Sequence, residues 1–342
     1  MLKQGIAEKA FPGASLAVTQ GKDLLALAGV GHFTYDPGAE PVDEGTVYDL
    51  ASVSKAVATT TIAMMLHEQR KLRLDMPVQA AIPEFGGSDP RRELVTIRML
   101  LTHTSGLPAY LRLFEQAKDL DRLVEIAFRA PLAADPGSRA DYSDIGFIIL
   151  GELLSRLVGE PLDSLCGKQI FKPLGMHNTA YNPPLSWKPH IPPTVEDISF
   201  RKRIVRGEVH DENASILRGV AGHAGLFATA YDIARFAHCM LNGGAPILQR
   251  ETVQLFTTHD VSTPGPYALG WDTPTAPSQS GKYFSAAAYG HLGYTGTSLW
   301  IDPERQLSVT LLTNRTWPNG TSDKIKTVRP AFHDAILEAI DK

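Results

Sequence analysis

The chain has 342 residues, 43% of them hydrophobic and 20% charged, with a formal net charge of −4. That is enough apolar material for one large domain or two intertwined subdomains, and its balance of charge forces no basic face for nucleic acid. Two cysteines, Cys166 and Cys239, are too few for a disulfide framework, and no paired ligand spacing marks a zinc site. Both lie in apolar, helix-like contexts and read as buried thiols.

The first residues, Met1-Leu2-Lys3-Gln4-Gly5, carry no basic segment followed by an apolar run, so no signal peptide is expected. No stretch approaches the roughly 20 apolar residues of a membrane span. The expectation is a cytoplasmic protein, or a periplasmic one if a leader has been removed.

Residues 13–28 form two apolar runs around Gln20-Gly21-Lys22-Asp23, a hairpin pattern. A third strand, Thr46-Val47-Tyr48-Asp49-Leu50, runs into Ser52. From Val53 the spacing turns helical, with Val53, Val57, Ile62 and Met65 or Leu66 on one side, and the helix should end near His67 to Lys71. A short helix over 96–101 stops at the turn-rich string Thr102-His103-Thr104-Ser105-Gly106-Leu107-Pro108. Amphipathic helices are expected over 121–130 and 143–158, and a further helix over 231–241. The Pro-rich, polar stretch 181–203 reads as a long surface loop. Strand composition returns over 290–302 and 307–313 around the turn Pro303-Glu304-Arg305-Gln306, and a last helix covers 330–340. Strands at both ends with helices between predict an α/β (α+β) fold: an antiparallel sheet built from both termini, flanked by helices, with an inserted helical subdomain. In one catalytic domain the sheet part would span about 1–50 plus 245–342, and the helical part about 51–244.

Ser52-Val53-Ser54-Lys55 is a Ser-x-x-Lys motif at a helix start. Residues i and i+3 share one helix face, so the Lys55 amine can reach the Ser52 hydroxyl and accept its proton. The free N–H groups and dipole at the helix start favour an oxyanion formed on attack. About one such motif arises by chance in a chain this long, and a second one, Ser199-Phe200-Arg201-Lys202, is present. With no strand before it and no apolar helical face after it, that one reads as a solvated basic patch.

Together with Thr96-Ile97-Arg98-Met99-Leu100-Leu101-Thr102-His103-Thr104-Ser105-Gly106-Leu107-Pro108, the first motif resembles the serine β-lactamase and DD-peptidase (penicillin-binding protein) superfamily, in its class C-like branch that includes the family VIII esterases. The resemblance runs from Phe11-Pro12-Gly13-Ala14 to Trp300-Ile301-Asp302-Pro303 and takes in the strings 209–214 and 222–227. It implies that Tyr142-Ser143-Asp144 is the second motif, with Tyr142 between nucleophile, lysine and leaving group, a phenol that needs a close cation such as Lys55 to serve as a base. Relatives carry Asn where this chain has Asp144; a carboxylate only accepts hydrogen bonds, so Asp144 is able to hold Lys55 as a cation or to accept an N–H from substrate. The third motif becomes His291-Leu292-Gly293, where relatives carry Lys-Thr-Gly. Gly293 would let substrate lie against the strand, His291 would titrate near about 6.5, and the grip on a substrate carboxylate would weaken. The backbone N–H groups of Ser52 and Tyr294 would form the oxyanion hole.

No Gly-x-Ser-x-Gly elbow and no His-Glu-x-x-His pair occur; His103 and His223 read as architectural. The expectation is therefore a serine hydrolase working through an acyl-enzyme, without metal or other cofactor. Its partner would be a small ester, amide or β-lactam, with esters or D-amino-acid peptides favoured. The alternatives are a low-efficiency β-lactamase or a penicillin-binding sensor that acylates without turnover.

Overall fold

In the computed structural model, which describes residues 1–276 and 278–342, the hairpin expected over 13–28 forms and lies inside a larger sheet. The strands in chain order are β1 (Gly13–Gln20), β2 (Asp23–Gly31), β3 (Tyr48–Asp49), β4 (Ala180–Tyr181), β5 (Val195–Asp197), β6 (Arg203–Val205), β7 (Leu226–Ala228), β8 (Tyr289–Leu292), β9 (Ser298–Asp302) and β10 (Leu307–Thr313). β2-β1-β10-β9-β8 make one antiparallel sheet, so the first two strands and the last three meet across some 260 intervening residues.

Alternation along the strands sorts side chains into two apolar layers. Ala14, Val18, Trp300, Val309 and Leu311 pack with Phe332 and Leu337 of the Ile325–Ile340 helix. Ala17, Leu299, Ile301 and Leu312 face the opposite way, where the Ala230–Leu241 helix packs with Phe236 and Met240. That second helix comes from the stretch expected to be the helical insertion.

The other body of the molecule surrounds one helix. Residues 53–66 are buried all round, with Ala56, Ala58, Ala63, Met64 and Leu66 in the largest core cluster, as expected of a helix enclosed by others. The Asp144–Val158 and Arg250–Thr257 helices pack directly against it, and the Ile97–Leu101 and Leu120–Phe128 helices pack on the Asp144–Val158 helix.

Four expectations need correction. The final helix starts at Ile325 rather than near Pro330, because the Lys326 carbonyl that Pro330 cannot reach accepts from Gln279 Nε2 at 3.0 Å. Residues 290–302 are two strands, since Gly293 N–H donates to the Thr297 carbonyl and Gly296, at φ +97°, closes a turn. The 181–203 stretch is not an irregular loop. It holds a 3-10 turn at Leu185–His190, buried residues 191–194 and the β5–β6 hairpin. The second Ser-x-x-Lys is not wholly solvated either: the Arg201 side chain is 4% exposed and donates to the carbonyls of Val209 and His210 at 2.9 Å. Its polar, Pro-rich composition hid an ordered hairpin. No helix among the described residues is long and apolar enough to cross a membrane, and both cysteines are buried.

Candidate active site

Ser52 lies where the buried helix meets the end of edge strand β8. The turn that delivers it is braced by Asp49, whose carboxylate accepts from Ala51 N–H at 2.8 Å and His210 N–H at 2.6 Å. Ala51 takes φ +46°, a left-handed conformation that non-glycine residues seldom adopt and that surrounding structure must hold. Thr295 and Thr297 of the β8–β9 turn supply the rest by donating to the carbonyls of Asp49 and Leu50, each at 2.8 Å. Gly293 belongs to this clamp: a Cβ there would meet Leu50 O at 2.4 Å and Thr297 Oγ1 at 2.0 Å. The glycine is thus required by the crossing of two chain segments, and it also lines the cavity.

Residues 55–60 form a π-helical turn, a local widening frequent at functional sites. Lys55 is fully buried, and Nζ donates to Ser52 Oγ at 2.9 Å, Asp144 Oδ1 at 2.6 Å and the His223 carbonyl at 3.0 Å. Burial pulls its pKa down, but the Asp144 carboxylate outweighs that and leaves it above the ordinary lysine value. So held, Lys55 rests as a cation, one of the two roles that the Asp144 carboxylate allowed for.

Asp144 opens the Asp144–Val158 helix, whose first turn Ser143 caps through Gly146 N–H at 3.0 Å. His103 positions this second motif. Its Nδ1 accepts from Ser143 N–H at 3.0 Å, and its ring lies 4.5 Å from that of Tyr142, centroid to centroid. The Tyr142 phenol faces both Lys55 and Ser52, and Lys55 Nζ is 4.9 Å from the ring centroid. Burial raises the phenol's pKa, and nearby Lys55 does not cancel this, so Tyr142 is neutral, against the expectation of a lysine-activated phenolate.

On the opposite wall, burial and then the charge of Lys55 push His291 down to about 3. It is a neutral ring near the Leu292 carbonyl (Nδ1 at 2.9 Å), not a group poised near neutral pH. The cations on this side come from residues that sequence reasoning did not single out. Arg315 donates to the Tyr294 carbonyl at 2.6 Å, and Arg329 to the Gly293 carbonyl at 3.2 Å. Both side chains are buried, both line the cavity, and neither is ion-paired among the described residues. Only their single-residue identity was legible; no motif surrounds them. The backbone N–H groups of Ser52 and Tyr294 have no hydrogen-bond partner among the described residues.

These groups surround a cavity of about 940 Å³ whose far wall includes Tyr110, Phe114, Val195, Ile198 and Glu212. The string 209–214 builds that wall. Asp211 accepts from His223 Nε2 at 2.8 Å, and Asn213 holds the 111–114 segment through the Phe114 N–H and Leu111 carbonyl. No cluster of candidate metal ligands occurs among the described residues.

The sequence profile of the Beta-lactamase family matches residues 1–330. The chain belongs to the β-lactamase family. It is 33% identical over 352 aligned positions to the N-acetylmuramyl-L-alanine amidase of Bacillus subtilis (strain 168), covering 92% of this chain and 79% of that one. It is also 34% identical over 302 positions to an Escherichia coli (strain K12) protein provisionally named D-alanyl-D-alanine carboxypeptidase, with 79% and 69% covered. Among solved structures, EstCE1, a hydrolase with promiscuous acyltransferase activity, superposes with a TM-score of 0.77 at 24% identity over 97% of this chain and 96% of that one. At such identities the solved structures speak for the fold, and the sequence relatives for the enzyme class. This β-lactamase-family chain is a serine hydrolase with the fold expected from its motifs.

Proposed function

We propose that this protein hydrolyses small esters and amides through an acyl-enzyme on Ser52, with D-amino-acid peptides bearing a free carboxylate as the preferred class. One observation carries the reading: Ser52 Oγ lies 2.9 Å from Lys55 Nζ at the wall of a large cavity. Attack of Oγ on a carbonyl puts negative charge on its oxygen, and the free N–H groups of Ser52 and Tyr294 are the donors available to meet it. Tyr142, neutral and facing both Ser52 and Lys55, is suited to hand a proton to the departing group.

The preference for a carboxylate comes from Arg315 and Arg329. Two buried guanidinium groups without acid partners favour an anionic substrate end beside Gly293 and Tyr294, which offsets the neutral His291. Names borne by the relatives, an amidase and a D-alanyl-D-alanine carboxypeptidase, agree with amide substrates of this kind. Ser52→Ala should remove turnover of p-nitrophenyl acetate and of D-Ala-D-Ala peptides by about a thousandfold or more while the thermal melt is unchanged. Retained turnover would sink the reading. A panel including nitrocefin separates peptide, ester and β-lactam preference, and mass spectrometry after penicillin detects a lasting adduct without turnover.

A further inference from the structure

We propose that Asp144 receives, by way of Lys55, the proton that Ser52 loses on attack. This inference rests on the reading of Ser52 as nucleophile. An ammonium has three N–H bonds, and Lys55 spends all three, on Ser52 Oγ, Asp144 Oδ1 and the His223 carbonyl. Nζ has no lone pair left with which to take a proton, and the side chain is wholly buried, so no water can relieve it. Of its three acceptors, a hydroxyl and a peptide carbonyl are poor bases, and the carboxylate is the one that can store a proton. Tyr142 already carries its own.

The other titratable groups around the pair do not compete. His103 and His291, from the turn after the Ile97–Leu101 helix and from β8, are held neutral by burial and by the Lys55 charge. Tyr110 lies in the field of Asp144, Asp211 and Glu212, and burial keeps its phenol protonated. Asp211 is engaged by His223. Glu212, at the start of the short 212–216 helix, makes no ion pair among the described residues, and it is not a hydrogen-bond partner of Nζ.

The Ser52 O–H bond breaks and an Oγ–C bond forms, while the carbonyl π pair moves onto oxygen. Lys55 gives one of its protons across the 2.6 Å hydrogen bond to Asp144, and the lone pair this frees takes the serine proton as the amine rotates. Lys55 is again an ammonium at the end of the step, and the negative charge has passed from Asp144 to the oxyanion. When the intermediate collapses, Tyr142 protonates the leaving group and is reprotonated by Lys55, which recovers its proton from Asp144. Water attacking the acyl-enzyme repeats the cycle in place of serine. An asparagine at this position would have no such capacity, because an amide does not take up a proton in this pH range.

The decisive measurement is the pH profile of kcat/KM for p-nitrophenyl acetate. With a relay, the acid limb of the wild type reports loss of the carboxylate acceptor and should lie well below that of a variant lacking it. In Asp144→Asn, activity requires a neutral Lys55, so the limb should move up by about two units or more. At pH 6 that variant should be slower than wild type by roughly a hundredfold, with much of the loss recovered at pH 9. A carboxylate that only positions Lys55 would lower the whole profile without moving its limb. An unmoved limb overturns the relay, as does a wild-type limb at about pH 7 or above, which needs no variant. Asp144→Glu, which keeps the carboxylate, should retain the wild-type limb. Labelling with a fluorophosphonate separates this proposal from its premise: if the wild type is not modified at Ser52, the nucleophile assignment fails, whereas modification with an unmoved limb defeats the relay alone.

Discussion

Two stretches of this chain spell Ser-x-x-Lys, and the structure treats them in opposite ways. Ser52 and Lys55 flank the start of a buried helix, with the amine 2.9 Å from the hydroxyl and the lysine paired with Asp144. Ser199 and Lys202 sit on the turn of the β5–β6 hairpin, both exposed, with Lys202 in a left-handed conformation at φ +54°. There the carboxylate of Asp197 gathers the N–H groups of Ser199, Phe200 and Arg201 at 2.9–3.2 Å, so the serine serves a turn and the lysine faces water. Spacing creates a reactive pair only where helical phase brings the two side chains together and burial removes the water that would otherwise separate them.

The sharpest way to break this contrast is to exchange the lysines for methionine. Lys55→Met should lower ester turnover by about a thousandfold or more, whereas Lys202→Met should leave it within about twofold. The two also differ in alkali. Because the Lys55 pKa is raised in the folded state, its contribution to stability is complete below the unfolded lysine value and is lost as pH rises through the folded one. Wild type and Lys202→Met should therefore share a fall in melting temperature at high alkaline pH that Lys55→Met lacks. A next test is Gly293→Ala, which sets a Cβ against Leu50 O and Thr297 Oγ1. It should cost about 1–3 kcal/mol of stability and depress kcat through displacement of the Ser52 turn; a variant that folds and works normally would show that the clamp is dispensable. Asp197→Ala should cost a similar or smaller amount, about 1–2 kcal/mol, and raise KM more than it lowers kcat, since the hairpin forms cavity wall and touches no reacting atom. Smallest of all, Ser199→Ala should change stability by no more than about 0.5 kcal/mol, as measured by urea unfolding.

Much of the site's inventory was legible because it is written locally. Helical periodicity after Ser52 and over 143–158 and the hairpin turn over 303–306 each depend on neighbours within a few residues. The terminal strands were legible from composition, and their meeting in one sheet followed from the need to cover apolar faces. Polar composition misled over 181–203, because a hairpin stabilised by Asp197 and by the buried Arg201 needs few apolar residues of its own.

From sequence alone came the identities and spacing of Ser52, Lys55, Tyr142, Asp144 and His291, and hence the class of chemistry. Protonation states were decided only in the folded molecule. Lys55 is charged because residue 144, 89 positions away, brings a carboxylate to 2.6 Å; His291 and Tyr142 are neutral because burial removes the water that would solvate their ions. The guanidinium groups of Arg315 and Arg329 reach the cavity through a turn and a helix that no local pattern connects to it. Bonding capacity belongs to the residue, but electrostatic free energy depends on the distances and solvent exclusion that only packing creates.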